Sequence, residues 1–253
     1  MHAILIMSLA VTSLIVSSCM TQSLPERLPV YFGVDNKRWS NFPTDSIPAG
    51  RLKAGLLAVN DATAPQSAPA LSDGEFDRFT HRLKANLDEQ FPLTVVSVID
   101  SDHLTQGENV SQFVRLAQQE RLDYLLFAVL SSTEKEVSDR FSLQGTLQGS
   151  GARGGLLVGV RAENYALVEL ALIDGTTGLP VVHANGSAWS VLERLNVPLE
   201  SNVYPVVRRD VTQPPIYPTE ETAYDTLRAV SAHDAMKQAL MHFQEEWGKQ
   251  PSS

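Results

Sequence analysis

The stretch Asp123–Leu130 (DYLLFAVL) limits the possible folds of this chain more than any other. A strand this apolar cannot sit at a solvent-facing edge and belongs at the centre of a sheet. Its surroundings supply the rest of that sheet. Leu52–Val59 reads as a buried strand ended by Asn60-Asp61, and Leu93–Ile99, rich in Val and Ile, reads as a second. Between them, Ser72 with Glu75 three residues later forms a capping-box signal. Phe76, Phe79, Leu83 and Leu87 follow at helical spacing, and Pro92 closes the helix. Residues 109–120 place Val110, Phe113, Val114 and Ala117 on one face of a second helix.

After Leu130 the period changes. Glu163–Ile173 alternates as a long strand, and Asp174-Gly175-Thr176-Thr177-Gly178 is a tight turn in which glycine supplies positive φ. Leu179–Ser190 returns as its partner, with Pro180 marking an edge strand or a strand start. The proline-rich residues 196–219 read as an irregular loop. A last helix beginning at Glu220 or Ser231 carries Met236, Leu240, Phe243 and Trp247 on one stripe. The order is β-α-β-α-β-β-β-α. That predicts one α/β (α+β) domain over 51–248, a two-layer sandwich of about five mixed strands with helices packed on it, and a frayed tail over 249–253.

The N-terminal segment carries the address. Ala3–Val16 is almost wholly apolar, and no charged residue precedes Glu26. The run is shorter than the roughly 20 residues a comfortable membrane crossing needs, and it ends in small residues, as a secretory signal does. Val16-Ser17-Ser18-Cys19 resembles a bacterial lipobox. The resemblance implies a signal peptide over 1–18, cleavage before Cys19, diacylglycerol on its thiol and an acyl chain such as palmitate on the new amine. The n-region departs from that pattern, holding His2 but no Lys or Arg. Met20 stands where an Asp would retain an enterobacterial lipoprotein in the inner membrane, so the analogy points to the outer membrane with the domain in the periplasm. Residues 19–50 read as anchor and irregular linker, helix being disfavoured by Pro25, Pro29, Pro43 and Pro48. Tyr31, Phe32, Trp39 and Phe42 are costly to leave in water, so that part is expected to lie on the domain.

Composition narrows the function classes. With 20 Lys+Arg against 29 Asp+Glu the formal charge is -9, which excludes a generic nucleic-acid binder. Cys19 is the single cysteine of 253 residues, so neither an intrachain disulfide nor a cysteine zinc cluster forms.

The hairpin Val168–Asp174 with Thr177-Gly178, then Pro180-Val181-Val182 and Gly186, looks like that of periplasmic CsgG-like and LpoB-like domains, and Asp123-Tyr124-Leu125 stands as their preceding strand does. The wider layout, with Leu227-Arg228-Ala229-Val230-Ser231-Ala232 before the last helix, is similar to the rhombotarget lipoproteins. The resemblance implies a non-enzymatic envelope lipoprotein that engages another envelope protein. CsgG builds a pore from membrane hairpins. Here only Leu156–Val160 of the glycine-rich stretch Phe141–Val160 is continuously apolar, so a loop between strands is expected.

No Walker A loop, nucleophile elbow or His-Glu-x-x-His occurs. No catalytic residue, metal or cofactor is therefore assigned. Asp77 and His81, four apart on a helix, read as a solvated ion pair, His183 as an exposed strand residue, and His233-Asp234 as a helix start or continuation. Arg208 and Arg209 beside Tyr204 and Tyr217 offer a partner-binding group, since Arg and Tyr are enriched at hot spots. The reading is a lipid-anchored binding or adaptor module. The alternatives are a component of an oligomeric export assembly, or an envelope hydrolase assembled from two or more of Asp77, His81, His103, His183 and Asp210.

Overall fold

The computed structural model describes residues 24–35, 39, 47, 50–101, 104–107, 110–142, 156–196, 204–209 and 212–249. Cys19 and the lipobox residues Val16, Ser17 and Ser18 lie outside the described residues, as do Phe42, His103 and Asp210. Six strands form one mixed sheet: β1 (Leu52–Asp61), β2 (Leu93–Ile99), β3 (Tyr124–Ser142), β4 (Leu156–Asp174), β5 (Pro180–Leu195) and β6 (Val206–Arg208), in the order β2-β1-β3-β4-β5-β6. β1 runs parallel to both β2 and β3, and the remaining pairs are antiparallel. The apolar β3 is interior as expected, and its Leu125–Val129 core is fully buried.

The helices are α1 (Leu28–Tyr31), α2 (Asp73–Gln90), α3 (Ser111–Glu120) and α4 (Ala223–Lys249). They divide between the two faces of the sheet. On one face α2 and α4 pack Phe79, Leu83, Met236, Leu240 and Phe243 against Leu56, Leu126 and Val168. On the other, α3 and the α1 segment pack Phe113, Leu28, Tyr31 and Phe32 against Leu57, Phe127 and Ala171. Because successive strand residues point to opposite faces, one run of consecutive apolar residues feeds both cores. That is why β3 carries no polar alternation at its centre.

Several elements depart from the sequence reading. A helix forms at Leu28–Tyr31, where the prolines argued against one, because Pro29 occupies the first turn and needs no amide hydrogen there. Ser72 does cap α2, but through its carbonyl, which accepts the Glu75 and Phe76 amides, and the side-chain bond of a capping box is absent. The proline-rich stretch contains β6, buried at Val206 and Val207 and hydrogen-bonded on one side to β5 and on the other to Ile216. β3 and β4 pair as far as Ser142 and Leu156, so strand takes both ends of the expected glycine-rich loop, whose residues 143–155 lie outside the described ones. α4 runs unbroken from Ala223, which puts His233-Asp234 in mid-helix instead of at a start. Among the described residues no helix is long and apolar enough to cross a membrane.

Two glycines are set by geometry. Gly178 closes the 174–178 turn at φ +71°, with Asp174 accepting the Thr176 and Thr177 amides. Gly186 on β5 lies against the backbone of α4, and a Cβ there would overlap the Ala239 amide nitrogen.

Candidate functional site

β5 is the outermost long strand, and most of its outer edge is covered. At Val191–Glu193 the cover is β6. At Asn185-Gly186 it is α4: His242 Nδ1 lies 2.6 Å from the Asn185 carbonyl oxygen, and Gly186 touches the helix backbone. Between these two covers Ser187–Ser190, paired with β4 on the inner side, has no strand on its outer side among the described residues. A cleft of about 520 Å³ opens there, lined from β4, β5, the β6 segment and α4.

The cleft is amphipathic. Trp189 and Met241, 49% and 56% exposed, are among the large apolar side chains left in water. Four cations line it, Arg161, Arg208, Arg209 and Lys237, against two carboxylates, Glu193 and Asp234, in a chain of net charge -9. Arg208 holds Glu193 at 3.1 Å and Lys237 holds Asp234 at 2.9 Å. Arg209 reaches Asp234 only at 3.5 Å, and its buried Nε has no hydrogen-bond partner among the described residues. A buried guanidinium donor without an acceptor is costly, and an anion arriving in the cleft would supply one.

The structure brings Arg208 and Arg209 together at the cleft, and neither of the two tyrosines lines it. Tyr204 lies within electrostatic range of Arg208 and packs at a tilt against Phe141, 5.5 Å between ring centroids, while Tyr217 is 56% exposed. Their places were taken by Trp189 and Met241, which sequence reasoning missed. Each stood inside a regular element, and only the element's place at the sheet margin exposes it.

Of the other expected groups, Asp77 and His81 come together and His183 lies apart from them. Asp77 and His81 form an exposed pair, 3.3 Å from Nδ1 to the carboxylate, over a shallow depression that His233 shares. No serine, threonine or cysteine lines that depression. His233 packs on Phe79 at 5.9 Å, and burial, reinforced by Arg82 and Lys237, pushes its pKa down to about 4. His183 is half-buried under Trp39, 5.0 Å between rings, instead of exposed, and burial pushes its pKa down against the pull of Glu26 and Glu246. Among the described residues no three His, Cys, Asp or Glu side chains are placed to hold a metal ion.

A second polar centre lies under α1. Glu169 on β4 is 1% exposed and accepts the backbone amides of Arg27 at 2.6 Å and Leu28 at 3.2 Å. Burial raises its pKa to about 8 in spite of those two donors. The Arg27 guanidinium meets the buried Asp61 at 2.8 Å. Burial opposes ionisation of Asp61 too, but hydrogen bonds from Thr63 and Arg27 prevail and hold its carboxyl below the usual range. Gln112 donates to the Tyr31 carbonyl at 2.7 Å and Gln106 to the Tyr31 hydroxyl at 3.2 Å. The chain's own N-terminal segment fills this centre, so it serves as a structural latch.

No family model and no curated protein matches the chain, so the resemblance to CsgG-like, LpoB-like and rhombotarget lipoproteins rests on its short motifs alone. Among solved structures, one similar chain is a neuraminyllactose-binding hemagglutinin homolog from Helicobacter pylori. Sequence identity is 9%, coverage is 80% of this chain and 95% of that one, and the TM-score is 0.37. A similarity that loose transfers no ligand and no residue.

Proposed function

We propose that this chain is a lipid-anchored outer-membrane lipoprotein whose periplasmic domain is a non-enzymatic binding module for another envelope component. The β5-edge cleft carries the reading: an exposed Trp-Met surface beside an under-satisfied arginine. Such a surface is equipped to grip a ligand by burying apolar area and pairing charge. The lipobox supplies the anchor, since two or three acyl chains at about 0.8 kcal/mol per buried CH₂ hold a protein durably in a bilayer.

Two measurements test this. Intact mass of the membrane-extracted protein should show a chain beginning at Cys19 with acyl mass, and the Cys19→Ala form should lose that mass and leave the membrane fraction. A chain starting at Met1 with a bare thiol would end the anchor reading. A photo-crosslinking residue in place of Trp189 should label a discrete envelope component in cells, and absence of any adduct there would count against the binding module.

A further inference from the structure

We propose that the cleft binds an extended, acidic peptide segment of a partner protein by adding it as a strand to the open edge of β5. The proposal rests on the binding-module reading and names the ligand class. Its first support is the backbone. In an antiparallel strand the N–H and C=O of one residue point to the same side, and successive residues alternate. The Asn185 carbonyl points outward to His242, and β4 and β5 pair without a register shift from Gly159 through Leu172. Ser187 and Trp189 therefore point their amides and carbonyls out of the sheet in the same direction, into the gap between α4 and β6. An open row of main-chain donors and acceptors recognises an extended chain, because only a backbone repeats its polar groups at that spacing.

The second support is the shape of the site. Ala188 pairs with Ala166 on the face that holds α2 and α4, whereas Trp189 pairs with Tyr165 on the opposite face. The cleft is thus wrapped around the strand edge, and side chains alternating along an added strand would meet different walls. The third support is charge. Arg209 offers a buried Nε donor with no partner among the described residues, and the lining is cationic within an acidic molecule. An Asp or Glu on the added strand satisfies that donor, and an apolar neighbour covers Trp189 and Met241.

The test uses the full chain in detergent micelles. A phage-displayed random octapeptide library is panned against the wild type, and the enriched peptides are synthesised with a fluorophore for anisotropy. Expected are sequences carrying Asp or Glu, with affinity reduced at least tenfold by N-methylation of alternate peptide amides. A similar reduction is expected in Arg209→Met, which keeps the aliphatic stem, and in Ser187→Pro, which removes one outward amide at a strand edge that tolerates proline. Circular dichroism and thermal unfolding confirm that both variants fold. Failure to enrich any peptide, enrichment of basic or uncharged peptides, or binding indifferent to N-methylation overturns the proposal. If the Trp189 crosslink instead captures a glycan or a lipid, the binding module stands and the peptide ligand falls.

Discussion

At the scale of single residues, two positions make sharp demands. Glu169 titrates near its ordinary value of 4.5 in the unfolded chain and at about 8 in the folded one. Between those values the folded chain keeps a proton that the unfolded chain has released. Stability is therefore greatest below the lower value and falls as pH rises through the window, by as much as about 1.4 kcal/mol per pH unit. Glu169→Gln keeps an acceptor for the Arg27 and Leu28 amides and removes the titration. Urea unfolding from pH 5 to 8 should then show the downward slope in the wild type and a flatter one in the variant, and equal slopes would exclude Glu169 as its source. Gly186 makes the second demand. Its Cα lies against the α4 backbone, which cannot move aside as a side chain can. Gly186→Ala should cost about 1–3 kcal/mol in chemical denaturation, the range for forced overpacking. Neither role is visible in the sequence. Glu169 sits in the alternation Tyr165, Leu167, Glu169, Ala171, which looks like an ordinary hairpin strand, and its partners lie more than 140 residues earlier.

At the scale of elements, periodicity identified what is locally encoded. The strand over 93–99, the stripe Phe79, Leu83, Leu87 of α2, the 174–178 turn and the core face of α4 all follow from spacing of apolar residues or from turn chemistry. Elements held by backbone pairing alone escaped that reading. The polar stretch Ser131–Ser142 shows no apolar run, yet it is strand throughout because β4 lies beside every residue of it. β6 is three residues long and exists because β5 and Ile216 flank it. α1 is a single turn, too short to form alone, and is held from outside. Phe32 carries much of that attachment: it is 2% exposed, with its ring 4.6 Å from Phe113 and 4.9 Å from Trp39. Phe32→Ala should cost about 3–5 kcal/mol. The loss should appear in global unfolding, since the segment shares one face of the sheet with α3 and packs into its core. Loss of protection confined to residues 24–35 in hydrogen exchange would instead make the segment a separable strap.

At the scale of the whole molecule, the latch changes how an anchored domain would sit. Read from sequence, residues 19–50 formed a linker whose aromatic part, Tyr31–Phe42, was expected on the domain; were all thirty residues flexible, the domain could wander about 30 Å from the lipid. In the structure Glu26 bonds Asn185 at 2.9 Å and Arg27, Leu28, Tyr31 and Phe32 are bound into the fold. Only residues 20–23 then separate Cys19 from the first described residue, Leu24. At most about 3.6 Å per residue, that stub reaches roughly 18 Å. The tether also leaves the domain beside Asn185, two residues or about 7 Å along β5 from the open window at Ser187. The cleft would therefore work close to the membrane surface, and a partner segment would have to present itself there. Energy transfer from a dye at position 187 to acceptor-labelled lipid headgroups in proteoliposomes should be efficient, because the short stub and the short step along β5 hold the cleft near the surface. Twenty Gly/Ser residues inserted after Met20 should lower that transfer without altering peptide binding in micelles. Transfer unchanged by the insertion would mean that something other than the stub sets the distance, and the latch would then have no part in placing the domain.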